Sequence, residues 1–335
     1  HGRNVAVGYN ALTTQDAGAD AYNVAVGYNA GLAVTTANNT TIVGGLAGDA
    51  LTTGNSNTFV GASSGSAATI GNTNTAVGRD SLLTNVAGDR NTAIGYQSLK
   101  VMTSASTVDS FNTALGYQSG LAVTSGIKNT IIGASAGAAL TTPGHNVAVG
   151  YGSQGAATTG EFNTSLGGLS MGTGITTGDD NVAIGYKAGE ALTSGGKNVL
   201  LGAYSGDSLL QSGRNVAIGY NALSTEDAAG RSVAIGYAAL EDQNANAEAY
   251  NVAVGYEAGK AITTGTANTL IGGLTGDALT TGEHNVAIGY AALTNEDGHG
   301  RNVAVGFETL NQQNAGADAY NTAIGYQAGK AITTG

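Results

Sequence analysis

A six-residue string, Asn-(Val/Thr)-Ala-(Val/Ile)-Gly-Tyr, recurs with variations 19 times in this chain. Its first position falls at residues 4, 23, 40, 57, 74, 91, 112, 129, 146, 163, 181, 198, 215, 232, 251, 268, 285, 302 and 321. Thirteen of the 18 intervals are 17 residues, and the rest are 18, 19 or 21. A unit this short cannot bury an apolar face alone. Stacked copies can, so the repeat confines the chain to an elongated architecture.

Position 1 is Asn in 17 of 19 copies, among them Asn4, Asn23, Asn91, Asn181, Asn251 and Asn321; Thr40 and Ser232 are the exceptions. Position 2 is always Val or Thr, and position 4 always Val, Ile or Leu. Position 5 is always Gly, as in Gly8, Gly27, Gly95, Gly185, Gly255 and Gly325. Position 8 is always Ala, Ser or Thr. Positions 2 to 4 therefore read as a strand rich in β-branched residues. The invariant Gly ends it, where the backbone needs positive φ or a close approach. A second short stretch is expected at positions 6 to 9, followed by Gly, Thr, Asn and Asp in turns. One more core residue comes from position 12, as in Leu51 or Ile262, or from position 9, as in Leu99 or Leu240. Stacked Asn side chains at position 1 predict an amide ladder.

The expected fold is all-β: a parallel β-solenoid, or β-roll, of 19 rungs with about 17 residues each. At ~4.8 Å per rung the rod would be on the order of 90 Å long. Residues 1–335 form one continuous array, with similar blocks about every 70 residues. His1 to Gly8 recurs as His299 to Gly306, and the chain stops in mid-repeat at Gly335, as a window on a longer array would.

Strand side chains alternate, so positions 2 and 4 share a face, which the pattern assigns to the rung interior. Position 3 then points outward, yet it is Ala, Ile, Leu or Phe in 18 of 19 copies. It also trades size with position 6: Ala6 with Tyr9, but Ile42 with Gly45, Phe59 with Ala62, Ile131 with Ala134, Leu200 with Ala203 and Leu270 with Gly273. Close packing imposes such a trade on side chains that share one space. Ala6, Tyr9, Ile42, Phe59, Ile131, Leu200 and Leu270 are accordingly expected to pack between chains, most simply in a homotrimer. The alternative is packing under the chain's own loops.

Composition narrows the function classes. There are 55 Gly, no Cys and only 10% charged residues, yet 41% of residues are hydrophobic, which excludes a disordered tail. The net charge of −11 opposes binding to nucleic acid or an anionic membrane. No apolar run approaches the ~20 residues of a membrane-spanning helix. The four His (His1, His145, His284, His299) sit in turns beside no distinctive nucleophile, and no catalysis or cofactor is expected. Gly44 to Asp49 and Gly272 to Asp277 approach a calcium-binding nonapeptide, with the spacing off by one. The acidic turns Asp179-Asp180, Glu226-Asp227 and Glu296-Asp297 read as solvated loops. Thr pairs such as Thr52-Thr53 raise ice binding, but they adjoin Gly in turns and many rungs lack them.

Stretches such as Val182-Ala183-Ile184-Gly185-Tyr186-Lys187-Ala188 and Val233-Ala234-Ile235-Gly236-Tyr237-Ala238-Ala239 resemble the head repeat of YadA-like trimeric autotransporter adhesins. They are also similar to arrays in phage tail-fibre proteins and large bacterial surface proteins. The resemblance covers all copies, although the family repeat is shorter and carries Asn-Ser before the Val. It implies a left-handed parallel β-roll, trimeric about its axis, in an extracellular adhesive fibre on a cell surface or virion. A secreted filament joined end to end, and an ice- or glycan-binding module, are the alternative readings. Self-association and a host-surface or glycan ligand are the expected partners.

Overall fold

The computed structural model describes residues 2–103, 109–227, 230–245 and 247–334. His1 and Gly335 lie outside the described residues. The chain divides into two compact units, His1–Asn163 and Thr164–Gly335. Each is a parallel β-solenoid, with no helix among the described residues. The first holds nine three-residue strands, from Val5–Val7 to Val147–Val149; the second holds ten, from Thr164–Leu166 to Thr322–Ile324. Every strand occupies positions 2 to 4 of its repeat. Within a unit, consecutive strands pair in parallel without slip. Ala25 faces Ile42, which faces Phe59, and Ala183 faces Leu200, which faces Ala217.

The stretch at positions 6 to 9 is not a strand. It is a stacked turn, because positions 7 and 9 adopt left-handed φ, as at Asn29 (52°) and Leu99 (47°). Hydrogen bonds along the stack persist there all the same, from Asn29 N to Tyr9 O (2.8 Å) and from Gly31 N to Ala47 O (3.0 Å). The Gly at position 5 meets both requirements that the sequence suggests. Gly8 has φ 133°, and a Cβ on it would lie 2.3 Å from Gly27 O in the next rung.

The interior is the reverse of the face assigned from the sequence. Position 3 is fully buried in its own chain at Ile42, Phe59, Ile131, Leu200 and Leu270, each 0% exposed. The chain–chain packing expected of these five is therefore corrected: they fill the solenoid core. Ala6, in the first rung described, is exposed. Positions 2 and 4 are the outer face. Most are half-buried, since the neighbours above and below cover their flanks.

The size trade also has a different partner. Position 3 shares its space with position 9, not position 6. Where position 3 is large, position 9 is Gly: a Cβ on Gly65 would lie 2.7 Å from Phe59 Cε1, and one on Gly276 3.0 Å from Leu270 Cδ2. Where position 9 carries Leu or Met, as at Leu82, Leu99, Met171 and Leu240, position 3 is Ala or Ser. Position 12 completes the interior, with Leu51, Leu140, Leu192 and Ile262 all buried. Nothing in the packing accounts for the parallel trade between positions 3 and 6, which lie on opposite sides of the chain wall.

Position 1 closes each rung. Asn129 Oδ1 accepts from Asn146 N (3.0 Å), while Asn129 Nδ2 donates to Pro143 O (2.9 Å) and Asn112 Oδ1 (3.1 Å). Asn198 repeats this in the second unit, with Asn215 N, Ser212 O and Asn181 Oδ1. The ladder is thus less a row of amide-to-amide bonds than a column of clamps. Most of these Asn join the next rung through their oxygen and the end of their own rung through their nitrogen, whereas Asn91 and Asn215 turn the nitrogen to Asp89 O and Ser212 Oγ of the rung before. Fully buried, such a bonded amide fixes register where an unpaired one would be costly.

Candidate interaction face

The outer face of each unit combines three columns. Positions 2 and 4 contribute Val, Thr, Ile and Leu; position 6 adds aromatic rings. Tyr9, predicted as an interchain residue, is 68% exposed and stacks on Tyr28 with ring centroids 5.5 Å apart and planes 8° from parallel. Tyr96 and Tyr117 form a second such pair in the first unit. The second unit carries the run Tyr220, Tyr237, Tyr256 and the run Tyr290, Phe307, Tyr326. Successive rungs set this spacing, and parallel offset stacking is favourable for aromatic pairs. The runs break where position 6 is small, as at Gly45, Ala134 and Gly273. At Ala203 the break is bridged by Tyr204, which meets Tyr186 and Tyr220 edge to face at 5.5 and 5.7 Å.

The face carries almost no charge. Arg79 is the one ionisable group other than Tyr at positions 2, 4 and 6. Charged groups gather one column away, at positions 7 and 10. There Lys187 pairs with Glu190 (3.1 Å), and Lys260 reaches both Glu241 (3.5 Å) and Glu257 (3.4 Å). The hydrogen bond from Lys187 to Glu190 raises the ammonium pKa above its ordinary value. Burial pushes the Asp207 and Asp277 carboxyls up, and each keeps one oxygen without a hydrogen-bond partner.

A second feature was not anticipated from the sequence. Three of the four longest repeats, all of 19 residues, open on Arg3, Arg231 and Arg301, and the 21-residue repeat opens on Arg90. Each Arg lies over the aromatic ring that ends its repeat: Tyr22 at 5.5 Å, Phe111 at 5.5 Å, Tyr250 at 5.4 Å and Tyr320 at 5.7 Å. Each also pairs with the acid two residues before that ring, namely Asp20, Asp109, Glu248 or Asp318. These exposed staples join the start of each longer repeat to the residues just before the next. The signal was present as Arg before position 1, then Asp or Glu, one residue, and an aromatic before the next.

The remaining candidates disperse. His145 stacks on Phe162 at 4.8 Å, and His284 lies beside Glu283. Asp49 Oδ1 accepts from Ser66 Oγ at 2.6 Å. Among the described residues, the acids of the two calcium-like stretches and of the Asp179 and Glu226 turns join no group of three metal-ligating side chains. Thr52 turns its hydroxyl along the stack to Thr69 O (3.0 Å), as Thr35 does to Thr52 O (3.1 Å), so this Thr column presents bonded donors. No protein-family model matches the chain, and no curated protein shows significant similarity to it. The likeness to YadA-type heads rests on the repeat string alone.

Proposed function

We propose that this chain is a non-catalytic segment of an extracellular structural or adhesive fibre, on a cell surface or virion, and that it works as an assembly of copies of itself. The observation that carries this reading is the nearly uncharged face of Val, Ile, Leu and Thr on every rung, with aromatic rings on most of them. Nine rungs at ~4.8 Å by about 13 Å of strand and turn give a flat area of about 560 Å² per partner on the first unit alone, within reach of a specific interface. Its period is fixed by the backbone, so a second copy matches it without adjustment. Closed symmetry about the long axis, a trimer of left-handed rolls, is the arrangement the repeat resemblance favours, and a closed ring satisfies all copies equally. An end-to-end filament is the alternative assembly. A glycan ligand has less support, since a sugar stacks on a ring face and these rings turn their faces to one another.

Light scattering on the whole chain tests the proposal. A trimer has three times the 32.8 kDa chain mass, and a filament has a mass that grows with concentration. Replacing Ile235 and Val254 of position 4 with Lys should dissociate a face-to-face assembly while leaving the β-sheet circular dichroism unchanged. A monomer at every concentration sinks the self-assembly reading.

A further inference from the structure

We infer that Glu296, Asp297 and His299 form a binding site for one borderline divalent cation, of the zinc, nickel or copper class. Their ligand atoms all lie within 4.8 Å of one another. Glu296 is fully buried at position 12, where other rungs place Leu or Ile. Its Oε2 accepts from Gln313 Nε2 (3.0 Å) and Ala315 N (3.3 Å) of the next rung. Its Oε1 accepts from His299 N (3.2 Å) and faces His299 Nδ1 at 3.6 Å. That nitrogen is shut away from water and has no hydrogen-bond partner.

Two features of this corner are unusual together. Among the described residues the buried Glu296 carboxylate has no Lys or Arg ion pair, and the imidazole nitrogen turned toward it has no hydrogen-bond partner; leaving such groups uncompensated is costly in a protein interior. A cation between them satisfies both at once. Tetrahedral coordination with bonds of about 2.0–2.1 Å sets ligand atoms about 3.4 Å apart. The separation of 3.6 Å between Oε1 and Nδ1 is already close to that. Asp297 is exposed, and Thr280 N (2.6 Å) and Thr281 N (3.3 Å) fix its backbone carbonyl, so its free carboxylate can swing in as third ligand. Water can take the fourth position. One imidazole and two carboxylates suit a borderline metal, whereas calcium takes six to eight oxygens.

The repeat provides its own control. Glu226 occupies the same position one block earlier, is equally buried, and accepts from Gln243 Nε2 (2.7 Å). The sequence there has Ala229 where His299 stands. Two copies thus bury a Glu at this corner, and His299 is the addition that turns one of them into a ligand set. A metal bound there would tie the 285 rung to the long rung after it, through the Gln313 and Ala315 contacts to Glu296.

The test is calorimetric titration of the whole chain with zinc chloride, alongside thermal unfolding with and without zinc. The expected result is one saturable site per chain and a melting temperature that rises with zinc. His299→Ala, which sets here the residue type that the sister copy has at Ala229, should weaken binding about tenfold or more. Glu226→Gln should leave it unchanged. No saturable binding, two equivalent sites, or a single site that survives His299→Ala overturns the inference.

Discussion

Replacing Asn129 with Ala removes one clamp from the middle of the first unit. Two buried groups lose their partner: Asn146 N, held at 3.0 Å, and Pro143 O, held at 2.9 Å. Asn112 Oδ1 keeps the backbone N–H of residue 129 at 3.0 Å, so it is not orphaned. Each stranded group costs about 1–3 kcal/mol. Some side-chain entropy is regained, and the expected destabilisation is about 2–5 kcal/mol. Nearest-neighbour coupling in a solenoid keeps the damage local. Hydrogen exchange should therefore accelerate in the 129 and 146 rungs and stay unchanged several rungs away, while urea titration reports the total. Asn129→Asp separates the two halves of the clamp. It keeps an acceptor for Asn146 N but sets an oxygen against Pro143 O and buries a charge, so it should be at least as damaging as Ala. A loss below about 1 kcal/mol for Ala, with no local change in exchange, would falsify the view that position 1 closes the rung.

Gly65→Ala places a methyl 2.7 Å from Phe59 Cε1 at a φ of 57°, and should destabilise the first unit. In a Phe59→Ala background the clash is gone and only the backbone penalty remains; a double-mutant cycle should return a coupling of at least about 1 kcal/mol, and additivity would refute the sharing of space by positions 3 and 9. Asp277 is held protonated more readily in the folded chain than in the unfolded one, chiefly by burial. Its contribution is complete at low pH and is lost as pH rises through the folded value. Asp277→Asn should therefore melt higher than the parent at pH 7 and no higher at pH 3, as thermal scans at the two pH values will show. Arg231→Ala removes an exposed ion pair with Glu248 and a ring contact with Tyr250; such contacts are weak, and a loss beyond about 1.5 kcal/mol in urea titration would contradict that reading.

The stacked solenoid was legible because a 17-residue period leaves no other way to bury apolar side chains, and the strand positions followed from their β-branched residues. The face was not legible from alternation alone. A three-residue strand offers two assignments, and the β-branched pair at positions 2 and 4 drew the interior to the wrong side. The discriminating signs were chemical. Position 2 accepts Thr as readily as Val, which suits a half-wet surface, whereas position 3 is Ser165 in one copy and apolar in all others. At position 3 alanine accompanies Leu99, Leu240 and their counterparts because these reach across the same narrow interior from a left-handed turn. That turn conformation, with non-Gly residues at positive φ, has no clear signature in residue type, since Leu, Asn, Gln and Lys all adopt it. The cation corner was half visible: Glu296-Asp297 and His299 were noted separately, but burial of the Glu and the orphaned imidazole belong to the third dimension.

The 19- and 21-residue repeats take their extra residues between positions 12 and 1, the corner whose two ends the Arg staples join. The strand, the Gly approach and the Asn clamp never change length. Pitch and circumference are therefore independent variables in this molecule. Residues added at that corner widen one turn without altering the distance to the next, so ornament can vary from rung to rung while the outer face keeps a constant ruling. Foreign peptides inserted beside Asp20, Glu248 or Asp318 would be displayed at heights along the unit set by rung number alone.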